Sequence, residues 1–357
     1  MLPARLSAYL RYLTGLALQP ANRWDGFDLR APDARASSLR GQISFVGCAL
    51  AALASHPSAS FDESALAQDA LADVIDRMIQ RRVWAGWAAE TERASRKPDP
   101  VEFGYGAYSG ALSMLFGLQA ALGGRVRYDE DPFVLRWSAD VRASYTADEL
   151  LEALWRQVRA SPDGALLCEG ETASASGMAA VLWALRLHGS DYGAAGAAWL
   201  STLAERMAIR GPRLPGRGAL AGSFSLRGRR ASLSGDSLED AWALALTAPL
   251  DHDLVAGLAE RHWAALPKIC ARGEPLAVAF SYLLAVELGD EGRAAQLLAH
   301  AEYRLGPVED AQAGRRYAEA PAVPWITALY AIGEAGGMAR LLPAAPPPLP
   351  AEGLGEA

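Results

Sequence analysis

Apolar residues recur at intervals of three and four along most of the chain, the period at which a helix presents one face to a core. That spacing predicts helices near 4–18, 36–54, 63–82, 106–122, 147–160, 172–188, 191–208, 236–247, 252–266, 274–288, 291–304 and 321–341. Leu187-His188-Gly189, followed at once by Ser190-Asp191, ends one helix and starts the next across a very short turn. The arrangement repeats, so the helices group as six antiparallel pairs. Alternating strand patterns are scarce; the best, Ala219 to Leu233 with Arg227-Gly228-Arg229 at its tip, predicts one inserted β-hairpin. Helices this rich in Ala and Gly approach one another closely, and they either stack as an open solenoid or close into a toroid. No fixed repeat consensus recurs, which favours the toroid, and only closure gives a deep central pocket. The expected fold is therefore all-α, an α/α toroid with a small inserted β-hairpin.

No Ser/Gly/Pro-rich linker divides the middle of the 357-residue chain, so residues 1–342 read as a single domain. The Pro-rich 343–357 segment cannot continue a helix and reads as a disordered tail. Hydrophobic content of 51% suffices for a sizeable core. The formal charge of −7 argues against a polyanion-binding surface, and no nucleic acid partner is expected. Arg5 and Arg11 break up the apolar run that leads into Tyr12 to Leu18, so the N-terminus reads as an amphipathic helix rather than a secretory signal. No stretch is long and charge-free enough for a membrane span. Cys48, Cys168 and Cys270 are odd in number and widely spaced, without CxxC, which fits a reducing cytoplasm. The five histidines show no ligand spacing, and neither a metal nor another cofactor is expected.

Candidate chemistry gathers around Cys168-Glu169-Gly170-Glu171, a loop that sets a thiol and two acids before an apolar helix. With no Lys or His adjacent in sequence, the Cys168 thiol is expected to stay neutral and to relay a proton rather than act as a nucleophile. Further acids stand at loop or helix-start positions: Asp25, Asp236, Glu239 and Asp240. Each has a plain structural reading as well. Asp236 suits an N-cap, Asp25-Gly26 a turn, Glu169 a partner for a nearby Arg or backbone N–H, and Glu239 and Asp240 a solvated helix face. The aromatic residues Trp84, Trp87, Tyr108, Trp183, Trp242 and Tyr317 suit either a core or a wall that tolerates positive charge. His188, at a helix C-terminus, is read as structural.

Several segments in order along the chain carry a resemblance: Arg82-Val83-Trp84 with Trp87; Asp99-Pro100 with Tyr108 and Gly110; Cys168-Glu169; Leu187-His188-Gly189 with Asp191-Tyr192; Ala241-Trp242; Leu276-Ala277 with Ala279-Phe280 and Gly289-Asp290; and Arg316-Tyr317. Together they resemble the linalool dehydratase/isomerase family. The resemblance implies an (α/α)6 barrel that dehydrates or isomerises an allylic terpene alcohol without metal or organic cofactor, using an Asp, a His and two Cys. Cys168 matches the first of those cysteines and Tyr108 a tyrosine of the family's site. The family histidine falls on Ala111, a methionine on Ala107 and the aspartate near Thr14; Ser174, Ser176 and Gly177 occupy the second cysteine's neighbourhood. A structural cysteine of the family falls on Gln80, and the family's signal sequence has no counterpart before the first helix, which supports a cytoplasmic relative. Family rings in which a neighbour contributes to the site imply a homo-oligomer.

The expected catalytic residues are Cys168, Tyr108, Glu169 and Glu239, with Asp25, Trp84, Tyr105, Glu171, Asp236, Asp240, Trp242, Phe280 and Tyr317 on the substrate walls. The expected activity is a cofactor-independent lyase or isomerase acting by acid–base chemistry on a hydrophobic alkenyl, terpenoid- or polyketide-like substrate. A cyclase, a non-catalytic hydrophobic-ligand binder and a carbohydrate-active toroid are the rival readings. Sugar enzymes rely on paired carboxylates and polar binding residues, and the low polarity around these acids disfavours the last.

Overall fold

A computed structural model describes residues 1–29, 38–90, 98–168, 171–189, 196–208, 219–232, 237–318 and 323–343. Among them are thirteen α-helices: α1 Ala4–Ala17, α2 Ser38–Ala54, α3 Phe61–Ile79, α4 Arg81–Glu90, α5 Gly106–Ala121, α6 Ala147–Ala160, α7 Ala175–Leu187, α8 Ala197–Thr202, α9 Ser237–Thr247, α10 His252–Arg272, α11 Pro275–Glu287, α12 Glu291–Leu305 and α13 Val323–Glu334. The protein is mostly helical with small antiparallel sheets.

Two kinds of helix alternate. Helices α5, α7, α11 and α13 are apolar on nearly every face and buried along most of their length. Helices α3, α6 and α12 are amphipathic, with one buried stripe and a charged outer face. A helix that is hydrophobic all round must be surrounded by protein, whereas an amphipathic one lies between core and water. The contacts follow this division: α2 packs on α5, α5 on α7, α7 on α9, α9 on α11, α11 on α13, and α13 back on α2. The amphipathic helices pack on the outside of these, α3 on α2 and α5, α6 on α5 and α7, and α12 on α11. One contiguous hydrophobic cluster runs from Leu2 to Leu341.

Glycine sets the closest approach in this series. A Cβ on Gly110 of α5 would lie 2.6 Å from Val181 Cγ2 and 2.9 Å from Val181 N, so α5 and α7 meet nearly backbone to backbone. The outer helices are started by side-chain caps. Ser60 with Glu63 and Thr146 with Glu149 form reciprocal capping boxes, and Asp251 and Asp290 cap α10 and α12. Gly273 and Gly306, both left-handed, end α10 and α12.

The expected β-hairpin is present as β4 Ser223–Ser225 paired with β5 Arg230–Ser232, shorter than the sequence pattern, with Thr172–Ala173 (β3) added along β4. Two further hairpins were not expected: β1 Phe133–Arg136 with β2 Arg142–Tyr145, and β6 Pro307–Asp310 with β7 Gly314–Tyr317. Each has strands of four residues, too short to establish an alternating pattern. Helix α4 directly follows α3 and was likewise unread. Helix α10 runs through Pro267 to Arg272, past the predicted stop, whereas α13 ends at Glu334 before Gly336 and Gly337, both at positive φ. No helix among the described residues is long and apolar enough to cross a membrane. The 344–357 tail lies outside the described residues.

Candidate active site

The N-terminus of α7 is where the sequence's thiol and one of its acids meet. Ser174 caps the helix, its hydroxyl accepting from Gly177 N at 3.1 Å. The preceding loop is pinned by Cys168 N donating to Thr172 O at 2.9 Å, and by Gly106 N and Ala107 N of α5 donating to Leu167 O and Cys168 O. Cys168 is fully buried, and its Sγ has the carbonyls of Leu166 at 3.5 Å and Ser174 at 3.9 Å as acceptors. Two acceptor carbonyls suit a protonated thiol. Gly177 makes the fit possible, since a Cβ there would stand 2.8 Å from Sγ. From the facing helix α9, Glu239 Oε1 accepts from Ser176 N at 3.1 Å. A backbone donor and the positive end of a helix both favour the ionised carboxylate.

Beside this thiol–carboxylate pair lies an aromatic group drawn from four helices: Phe45 of α2, Trp242 of α9, Phe280 of α11 and Trp325 of α13. Trp242 stacks on Phe280 with centroids 5.4 Å apart, and Phe45 on Trp325 at 5.9 Å. The two stacks stand nearly perpendicular, with Trp242–Trp325 at 5.2 Å and 83°. Edge-to-face contact of this kind is the favoured arrangement of aromatic quadrupoles. Gly41 admits Trp325, whose Cη2 and Cζ2 would lie 2.3 and 2.5 Å from a Cβ at that position. The indole N–H groups of Trp242 and Trp325 are buried and have no hydrogen-bond acceptor among the described residues.

Small side chains stand on the other helices. Ala107 and Ala111 of α5, Ser176 and Ala180 of α7, and Arg40 and Ser44 of α2 each form an i,i+4 pair, hence one face of a turn. All six are buried, at 4–7% exposure. Trp242 is the partly exposed member of the aromatic group. The Arg40 guanidinium lies over the Tyr105 ring at 5.2 Å, and Tyr105 stacks between Trp87 and Tyr108 at 5.4 and 5.6 Å.

The residues singled out in the sequence therefore divide. Cys168 and Glu239 fall at the α7 N-terminus, Trp242 and Phe280 in the aromatic group, and Tyr105 beneath Arg40. Tyr108 is fully buried, but its hydroxyl donates to Met78 O of α3 at 3.2 Å, and burial raises its pKa well above the ordinary value. Trp84 donates its N–H to Ile79 O and packs on Trp137. Tyr317 belongs to a separate polar network with Tyr9 and Arg315, near α1. Asp240, rather than forming a solvated face, is 1% exposed and accepts from Ala219 N and Leu220 N, so it anchors the segment leading to the hairpin. Asp25 is on the surface, its side chain 72% exposed and 3.2 Å from Arg23. Glu171 is 80% exposed and 4.0 Å from Arg227. Exposure at that level leaves both carboxylates in water. Glu169 and Asp236 lie outside the described residues.

Arg40, Phe45 and Trp325 escaped the sequence reading. Nothing in the chain sets them apart, because an apolar-face aromatic and a helix-start arginine are ordinary until the facing helices are known. The family model described as Linalool dehydratase/isomerase matches residues 40–268, more than half of the chain.

Proposed function

Because the chain belongs to the linalool dehydratase/isomerase family, we propose that it is a cofactor-independent lyase or isomerase acting on a hydrophobic, terpenoid-like alkenyl substrate. The carrying observation is the approach of the Cys168 thiol and the Glu239 carboxylate to one helix N-terminus, beside the Trp242 group. We read the closed sequence of helix contacts, α2 to α13 and back, as the (α/α)6 barrel of a single domain, with the inner helices' N-termini at the mouth of the site.

The chemistry follows from the charge states. Glu239, which accepts from Ser176 N–H at the α7 N-terminus, is in this reading the base that takes a proton from carbon as the alkene forms. The Cys168 thiol supplies a proton to the leaving hydroxyl, which departs as water; the C–O bond breaks, the C–H electron pair becomes the new π bond, and proton transfer from Glu239 back to the thiolate resets the site. Return of water at the far end of the allyl system completes an isomerisation. Positive charge on the intermediate is stabilised by the Trp242 and Phe280 faces, by up to ~2 kcal/mol per desolvated contact. Alanines stand at 107 and 111, where the resemblance puts the family's Met and His, which leaves the proton work in this reading to Cys168 and Glu239.

Three free thiols support a reducing, cytoplasmic setting, and a homo-oligomer is part of this reading. The test is turnover: a panel of allylic alcohols incubated with the purified chain, with alkene and rearranged alcohol quantified by gas chromatography, in wild type, Cys168→Ala and Glu239→Gln. Product formation that survives in both variants sinks the assignment.

A further inference from the structure

Glu239 and its neighbour Asp240 leave the first turn of α9 in different directions, and both lead back to α7. Glu239 reaches that helix directly, through Ser176 N. Asp240 reaches it the long way round. It is 1% exposed, and its two carboxylate oxygens accept from consecutive backbone amides, Oδ2 from Ala219 N and Oδ1 from Leu220 N at 3.0 Å. Ala219 and Leu220 are buried as well, so neither amide has water to replace the carboxylate.

The backbone fixed by Asp240 runs straight into the three-stranded sheet. Ala221 N donates to Met207 O at 2.9 Å and Gly222 N to Ser232 O at 3.1 Å, which brings the chain to β4, the central strand. Phe224 of β4 is fully buried and meets Trp199 edge-on at 6.4 Å. On its other side β4 pairs with β3, Ser225 with Thr172 and Phe224 with Ala173. A strand of two residues has too few bonds to hold its own course, and β4 is the one strand that β3 pairs with. The thiol hangs on β3: Thr172 O accepts from Cys168 N at 2.9 Å, and Ser174, just past the strand, caps α7 and supplies one of the two carbonyls facing Sγ.

We propose, on the reading of Cys168 and Glu239 as the proton-transfer pair, that Asp240 is the residue that positions them. It ties the loop bearing the thiol to the helix bearing the carboxylate, and the contacts close into a circuit: α9 to α7 through Glu239, and α9 to the sheet, the loop and α7 through Asp240. The thiol cannot swing away from Glu239 without breaking a buried hydrogen bond somewhere in that circuit. Precision of this kind matters, because a misplacement of about 1 Å costs about 10²-fold in rate. A carboxylate suits the task, since both of its oxygens accept; an amide offers one acceptor and turns its own N–H against the second backbone donor. Asp240 itself touches no reacting atom.

Thiol labelling tests the coupling without a substrate. Cys168 and Cys48 are both fully buried, and Cys48, in α2, lies outside the circuit, so it serves as the internal control. The full chain is treated with iodoacetamide at about pH 8, and modification of each cysteine is followed by peptide mass spectrometry. Asp240→Asn should speed labelling of Cys168 about 10-fold or more, the value of one hydrogen bond to a charged group, with Cys48 unchanged. In the turnover assay the same variant should lower kcat about 10-fold or more with KM within about twofold of wild type. Unchanged labelling of Cys168 overturns the positioning role, and so does equal acceleration at Cys48, which reports loosening of the whole fold. If Asp240→Asn does not fold, hydrogen exchange of the wild-type chain decides: the amides of Cys168, Ala219 and Leu220 should share one opening equilibrium, with protection within about threefold. Widely different protection at the two ends overturns the coupling. Absence of turnover in wild type sinks the lyase reading instead, and leaves the labelling result standing.

Discussion

Acidification should destabilise the protein through one histidine in a predictable window. His262 of α10 is 1% exposed, and its Nε2 is 2.8 Å from Ser281 Oγ of α11. The Ser281 hydroxyl donates to Ala277 O at 2.7 Å, so the histidine carries its proton on Nε2 and donates to the serine oxygen. Burial, with a smaller contribution from Arg293, lowers the imidazole pKa from 6.5 to about 4. A group whose folded pKa is depressed contributes stability that is whole above its unfolded value and is lost as pH falls toward the folded one. Between about pH 6.5 and 4 the unfolded chain binds a proton that the folded chain refuses. At about 1.4 kcal/mol per pH unit, the loss reaches about 3 kcal/mol by pH 4. The assay is urea unfolding followed by far-UV circular dichroism at several values across that window, for wild type and His262→Gln. The amide still donates to Ser281 but has no proton to gain, so the variant should lie below wild type at about pH 7.5 and approach or pass it near pH 4.5. Taking the difference also removes Glu287, whose burial raises its pKa to about 7 and whose contribution runs the other way, favouring the fold as pH falls. Parallel stability curves for the two proteins would refute the reasoning.

Three further outcomes follow from the same geometry. Cys168→Ala and Glu239→Gln should each lower turnover about 10²-fold or more with circular dichroism unchanged, since each removes a proton-transfer group; full activity in either assigns that residue to packing. Gly110→Ala should destabilise by about 1–3 kcal/mol, because its methyl meets Val181 backbone, and Gly86→Ala, with open space around it, should be neutral or stabilising; equal unfolding midpoints would argue against the close α5–α7 approach. Asp163, 4% exposed and bridged by Arg229 at 2.7 Å and Arg206 at 3.2 Å, holds the β4–β5 hairpin to the loop after α6. Asp163→Ala should lower the chemical-denaturation midpoint, since it removes the acceptor of both arginines, and an unchanged midpoint would make the bridge decorative.

The alternation of all-apolar and amphipathic helices was legible in the chain, because burial on every side and burial on one side leave different periodicities. Helices α1, α5, α6, α11 and α12 could be placed within a residue or two for that reason, and Thr146 caps the start of α6. The short hairpins at 133–145 and 307–317 left no comparable trace, since their pairing is a contact between segments rather than a repeat within one. Cys168 and Glu239 were visible as types, a thiol in a loop and an acid at a helix start, but not as neighbours. Their meeting at the α7 N-terminus depends on α9 packing against α7. Asp240, one residue on, turns a further 100° around the same helix and is consumed by backbone donors instead. Sequence periodicity fixes which face of each helix is apolar; only the packing of one helix against the next decides which polar groups share a space, because that is set by inter-helix contacts that no single segment contains.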